Sequence, residues 1–129
     1  MPKKILVCDD EPYILMALTD AVEIEGYDCV TAENGKEALE KAREERPDLI
    51  LLDIMMPYKD GYEVCKELKD DELTRDIPVI MLTAKSQQVD IQRGKEVGAD
   101  DYITKPFKPS TLRKKFKEIL ESRRIIRDE

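Results

Sequence analysis

The chain has 129 residues, 41% of them hydrophobic, enough apolar material for one ordinary domain with a proper core. Its formal charge of −7 argues against non-specific binding to nucleic acid or to an anionic membrane, and the lack of histidine leaves only cysteine for a zinc site. No stretch approaches the ~18 uncharged apolar residues of a membrane span, Lys3-Lys4 does not open a signal peptide, and Cys8, Cys29 and Cys65 lack CxxC spacing, so they read as small core residues in a reducing cytoplasm.

Lys4-Ile5-Leu6-Val7-Cys8 reads as a short buried strand, and it ends in Asp9-Asp10-Glu11 before Pro12. Pro12 sits just inside a helix whose N-terminus suits Asp10 and Glu11, whose inner face carries Ile14, Leu18, Ala21 and Val22, and which Gly26 stops. Tyr27 to Ala32 reads as a second strand, and Asn34 then caps a helix to about Arg46 with Ala38, Leu39 and Ala42 inward. Pro47 leads into Asp48-Leu49-Ile50-Leu51-Leu52-Asp53, an apolar run that predicts a strand buried on both faces, closed by a carboxylate and followed by Ile54-Met55-Met56-Pro57. A loop with Pro57 and Gly61 precedes a helix near Tyr62 to Lys69, and Ile77-Pro78 introduces a fourth strand, Val79 to Thr83. Gln87 to Val97 is a more polar helix stopped by Gly98, and Asp101 to Thr104 is a fifth strand broken at Lys105-Pro106. The last helix carries Leu112, Phe116, Ile119 and Leu120 at helical spacing.

Five β-α units in strict alternation imply a parallel sheet covered by helices on both faces. The domain is expected over residues 1–122, with 123–129 a C-terminal tail or the start of a linker. The basic residues Arg113, Lys114, Lys115 and Lys117, and Arg123, Arg124 and Arg127 beyond them, read as solvated helix faces rather than a nucleic-acid contact.

The polar strand ends carry the chemistry. If the first and third strands lie side by side, Asp9, Asp10 and Asp53 converge, and each pair repels by roughly 1 kcal/mol in water or about 4 kcal/mol at an effective dielectric near 20. Such a cluster needs a cation, and hard oxygen ligands suit Mg²⁺ better than zinc. Thr83 and Lys105 end the fourth and fifth strands, where a hydroxyl and an ammonium would complement the oxygens of a phosphoryl group on Asp53. Taken singly, these residues have plainer readings. Asp9 and Asp10 could be favourable charges at a helix N-terminus, Thr83 a turn former, Tyr102 sheet packing, and Met55 and Met56 core filler. Four strand ends converging by accident is the weaker explanation for the acids.

Together, Val7-Cys8-Asp9-Asp10-Glu11, Leu52-Asp53-Ile54-Met55-Met56-Pro57 with Asp60-Gly61, Leu82-Thr83-Ala84 and the run from Gly98 to Phe107 resemble the receiver domain of bacterial two-component response regulators. The likeness covers Lys3 to about Leu120, and the chain is similar to the chemotaxis response regulator. The resemblance implies an α/β, flavodoxin-like five-stranded sheet in the order 2-1-3-4-5. It implies a switch rather than an enzyme with its own substrate, one that assists its own phosphoryl transfer and slow dephosphorylation. Asp53 would accept the group from a phosphohistidine of a sensor kinase or phosphotransfer protein. Mg²⁺ would be held by Asp10, Asp53 and the backbone carbonyl of Met55, with Asp9 acting directly or through a metal-bound water. Lys105, before a cis bond to Pro106, would pair with the phosphoryl oxygens. Thr83 would hydrogen-bond the same group and Tyr102 would turn inward behind it, so that the surface of the fourth helix, fifth strand and fifth helix reports the event. Met55 and Lys85 would flank the path of the hydrolytic water.

The same resemblance implies a cytoplasmic protein that is a monomer or a phosphorylation-dependent dimer. Its output would go to a protein target or to an output domain outside this chain, without direct nucleic-acid or membrane binding. Asp100 and Asp101 fit the acid positions of the winged-helix subfamily's dimer face, whereas Thr111, Lys115 and Glu118 depart from it. Two other classes fit less well. A haloacid-dehalogenase-like phosphohydrolase would place Asp-x-Asp after one strand, but Ile54-Met55 follows Asp53, and a constitutive binding module would lack an acid or the lysine. A nucleotide site would need a Gly-rich phosphate loop after the first strand.

Overall fold

In chain order the elements are β1 (Lys4–Cys8), α1 (Pro12–Ile24), β2 (Asp28–Ala32), α2 (Gly35–Glu45), β3 (Leu49–Asp53), α3 (Gly61–Asp70), β4 (Val79–Ala84), α4 (Ile91–Val97), β5 (Asp101–Lys105) and α5 (Pro109–Asp128). This computed structural model describes residues 2–84 and 91–128. The five strands pair in parallel in the order β2-β1-β3-β4-β5, as expected for a flavodoxin-like sheet.

Alternation along the strands sorts the core into two layers, because successive side chains of a strand point to opposite faces. Leu6, Cys8, Ile50, Leu52, Val79 and Met81 face Ala38, Leu39, Val64 and Leu68 of α2 and α3. Ile5, Val7, Leu49, Leu51, Ile80 and Leu82 face Leu18, Val22, Leu112 and Phe116 of α1 and α5. Every residue of β3 is buried, which is why that strand reads as unbroken hydrocarbon up to its terminal acid. Each fully buried Leu or Ile contributes about 2 kcal/mol of transfer free energy.

Helix starts follow local chemistry. Asn34 Oδ1 accepts from the Glu37 amide at 2.8 Å, and Asp60 Oδ1 accepts from the Glu63 amide at 2.9 Å. Asp60 as a cap was missed in the sequence, although Asp60-Gly61-Tyr62-Glu63 carries the cap-and-acid spacing that signals one. By contrast α1 begins at Pro12 with no side-chain cap.

Several boundaries shift by a residue or more. β2 starts at Asp28 rather than Tyr27, since the Tyr27 amide bonds back to Val22 O and closes α1 instead of joining the sheet. β4 and β5 each run one residue further because Ala84 pairs with Lys105, so the lysine belongs to the strand and the pleat sets its direction. α4 is described from Ile91, and the expected helical stretch 87–90 lies outside the described residues. α5 continues to Asp128, through most of the stretch expected as tail or linker, because neither glycine nor proline interrupts it after Pro109. Among the described residues no helix is long and apolar enough to cross a membrane.

Candidate functional site

The chain passes from β1 outward to β2 and then back across to β3, so the crevice above the carboxyl ends of β1 and β3 is where an open α/β sheet takes its ligands. Cys8 pairs with Leu52, which brings the residues that follow, Asp9 and Asp53, side by side at that edge. One carboxylate oxygen from each of Asp9, Asp10 and Asp53 lies within 4.8 Å of the others.

The three acids differ in setting. Asp9 is wholly buried: its Oδ1 accepts from the Glu11 amide at 3.0 Å and its Oδ2 from Lys105 Nζ at 2.7 Å. Asp53, 4% exposed, accepts at Oδ1 from the Met55 amide at 3.3 Å and lies 3.5 Å from Lys105 Nζ. Asp10 is exposed at the mouth. Burial first, and then the charge of Asp9, push the Asp53 carboxyl up to about 6; Lys105 and the Met55 amide oppose this, and Asp10 adds to it. For Lys105 burial alone would lower the pKa, but the hydrogen bond to Asp9 and the charges of Asp53 and Asp9 raise it, so the ammonium is firmly charged. Just beneath, the Cys8 thiol is driven far above its usual range by burial first and then by the charges of Glu37, Asp9 and Asp53, which keeps it protonated and inert.

Three carboxylates against one ammonium leave an excess of negative charge at a partly dry edge. The donor set is all oxygen, open on the Asp10 side, and fits a small hard divalent cation such as Mg²⁺ that keeps water among its ligands.

The other residues singled out in the sequence fall around this cluster. Thr83 is buried one residue before the end of β4 and one past Leu82, the partner of Asp53. Tyr102 pairs with Met81, packs against the core layer under α2 and α3, and has its hydroxyl oxygen buried. The Lys105–Pro106 peptide is cis. Met56 is core, but the Met55 side chain is 61% exposed, on the rim of an open depression of about 500 Å³ that it shares with Asp10, Met56, Pro57 and Asp60. Lys85 lies outside the described residues. On the far face Asp101 pairs with Lys115 at 2.6 Å, while Asp100 pairs with Lys69 at 3.2 Å and accepts the Val79 amide at 2.8 Å.

The loop after Asp53 is held by parts that sequence reasoning passed over. Ile54 donates its amide to Leu82 O and its carbonyl accepts from Gly61, at 3.2 and 2.7 Å. A Cβ on Gly61 would lie 2.6 Å from Asp53 O, and one on Gly35 would lie 2.5 Å from Lys59 O. The loop is thus pinched between the first residues of α2 and α3, and within it Tyr58 takes a left-handed backbone, φ 71°, with its ring exposed. The signal for Gly35 was a glycine placed directly after a cap, Asn34-Gly35, where nothing in the helix itself asks for one. Arg93 was also missed: its guanidinium stacks 4.7 Å over the Tyr62 ring and lies 3.6 Å from Asp60.

The family model of the response regulator receiver domain matches residues 5–117. The alkaline phosphatase synthesis transcriptional regulatory protein PhoP of Bacillus subtilis is 50% identical over 125 residues, which are 97% of this chain and 51% of that protein. The phosphate regulon transcriptional regulatory protein PhoB of Pseudomonas aeruginosa is 50% identical over 118 residues, 92% of this chain and 52% of its own length. This chain therefore spans about half the length of these relatives. Among solved structures, a putative response regulator from Chloroflexus aurantiacus superimposes with a TM-score of 0.88 at 35% identity, covering 94% of this chain and 99% of that one.

Proposed function

The chain belongs to the response regulator receiver domain family, and from that premise we propose a phosphorylation-activated switch in which Asp53 takes a phosphoryl group from the phosphohistidine of a sensor kinase or phosphotransfer protein. The single observation that carries the proposal is the meeting of Asp9, Asp10, Asp53 and Lys105 at one sheet edge, with the buried Asp53 between an acid and a cation. With its carboxyl at about 6, Asp53 is mostly ionised near neutral pH. One of its oxygens attacks phosphorus, an O–P bond forms, the P–N bond breaks and the electron pair stays on the imidazole. Lys105 leans toward the phosphoryl oxygens, and Thr83 offers its hydroxyl to one of them. A Mg²⁺ held by Asp9, Asp10, Asp53 and the Met55 carbonyl would neutralise charge on the transferring oxygens.

Tyr102 then responds behind Thr83, and the α4–β5–α5 surface changes for a downstream protein or for an output domain outside this chain. We place the receiver at residues 1–122, with 123–129 leading into a tail or linker, and its work in the cytoplasm, without nucleic-acid or membrane contact of its own. Acetyl phosphate with Mg²⁺ should add one phosphoryl group to the intact chain by mass spectrometry. The reading fails if the Asp53→Asn variant is labelled equally.

A further inference from the structure

We propose that Gly94 is a positioning residue: its bare Cα is the seat on which the Tyr102 hydroxyl rests, and it sets where that ring can lie. The proposal goes beyond the site above but rests on it in one respect, the reading of Tyr102 as the moving part.

Tyr102 is held on β5 opposite Met81, with its ring over the core layer and its hydroxyl oxygen shut off from solvent. The backbone that closes over the hydroxyl is that of α4. A Cβ built on Gly94 would fall on top of the hydroxyl oxygen and lie 2.7 Å from the ring carbon that bears it. These are ring atoms attached to a strand, not the end of a flexible chain, so the ring as a whole must leave. Glycine is among the poorest helix formers, and here it stands inside the described stretch of α4, Ile91–Val97. Its place has a packing reason, and the ring supplies it.

Two further contacts make the seat part of a lever. Arg93, the residue before, stacks on Tyr62 and reaches Asp60, which caps α3 at the end of the Asp53 loop. The Gly94 carbonyl accepts from both Gly98 and Ala99, at 3.1 and 3.0 Å, which ties the same turn of helix to the entry into β5. Thus α4 is gripped at Arg93 and filled at Gly94. With Tyr102 turned inward on the seat the helix is both gripped and filled; when the ring turns outward, α4 loses its filling but keeps its grip at Arg93. A side chain at 94 closes the seat and holds Tyr102 outward.

The test uses the full chain and four forms: wild type, Gly94→Ala, Tyr102→Ala and the double variant. Gly94→Ala should lower the melting temperature when Tyr102 is present and should leave it unchanged or raise it in the Tyr102→Ala background, because there alanine only improves the helix. An equal change in both backgrounds overturns the seat. Should Gly94→Ala fail to fold, recovery in the double variant supports the seat and failure to recover overturns it. A ¹³C-labelled tyrosine ring resonance, assigned by its loss in Tyr102→Ala, should move in Gly94→Ala without a phosphodonor; an unmoved resonance overturns the proposal. If it moves, but phosphorylation of wild type does not shift its α4–β5–α5 amide resonances away from those of Gly94→Ala, the seat stands and the reading of Tyr102 as the switch falls.

Discussion

Lys105 Nζ sits 2.7 Å from Asp9 Oδ2 but 3.5 Å from Asp53 Oδ1, so the ammonium is held by the acid that is not the proposed acceptor. The lysine neutralises a wholly buried carboxylate, and on the proposed reading it would be shared with the phosphoryl group once Asp53 carries one. Removing it strands the Asp9 charge, and breaking a buried pair in this way costs roughly 3–5 kcal/mol. Lys105→Met should therefore lose about 3 kcal/mol of stability in urea at pH 7 without metal. It should also bind Mg²⁺ about tenfold more tightly, having lost a nearby positive charge. A loss below about 1 kcal/mol would class the pair with ordinary exposed ion pairs.

A raised carboxyl has a definite sign in the pH profile. The folded protein holds the Asp53 proton up to about 6, against 3.8 for the ordinary group. Between those values the folded state binds more protons than the unfolded chain, so stability falls as pH rises from about 4 to about 6, and the contribution is absent above that. Its size is at most about 3 kcal/mol. In EDTA, Asp53→Asn should flatten this slope and be the more stable form at pH 7, with little difference below pH 4. Parallel profiles for the two proteins would mean that Asp53 is not the group responsible.

Metal should reverse the repulsion. A ligand that binds only the folded state stabilises it by RT ln(1 + [L]/Kd), about 2.7 kcal/mol at a hundredfold excess. Millimolar Mg²⁺ should raise the melting temperature of the wild type. Asp10→Ala, at the exposed corner of the cluster, should remove most of that rise while leaving the metal-free protein as stable or slightly more so. Melting indifferent to Mg²⁺ in the wild type would refute the cation site.

The lifetime of the phosphorylated state should depend on the rim. Met55 is exposed beside Asp53 and, on the proposed reading, its thioether would offer an attacking water little hydrogen bonding and would screen the phosphorus. Met55→Asn should lose its phosphoryl group faster than wild type, followed as phosphate release once the donor is removed. Equal or slower decay would show that this side chain does not control the water.

Buried strands announced themselves in the sequence because a strand covered on both faces has no reason to alternate, and the polar residue that ends each one stands out against it. That is how Asp9, Asp53 and Thr83 were legible; Lys105 ends the partly exposed β5 and stood out by the proline after it, and the meeting of these strand ends at one edge followed from parallel pairing. Less legible was everything set by backbone proximity. Asp60 was left in the loop rather than read as a cap, Gly35 was passed over, and Gly94 fell inside a polar helix without remark. The Asp60 cap is local, but the two glycines owe their places to contacts from other elements: the Lys59 loop against Gly35, Tyr102 of β5 against Gly94. Hydrophobic period reports which face is covered, but not how closely the covering backbone approaches.

The pinch at Gly35 and Gly61 bears on transplantation. A designer who moved only the charged residues and their loop onto another sheet would carry over the acids but not the two hydrogen atoms that let the loop lie flat. With any side chain at 35 the loop backbone at Lys59 must lift, and with it the peptide that aims Met55 at Asp53. The portable unit therefore includes the first turn of α2, which holds no ligand and no charge of the cluster.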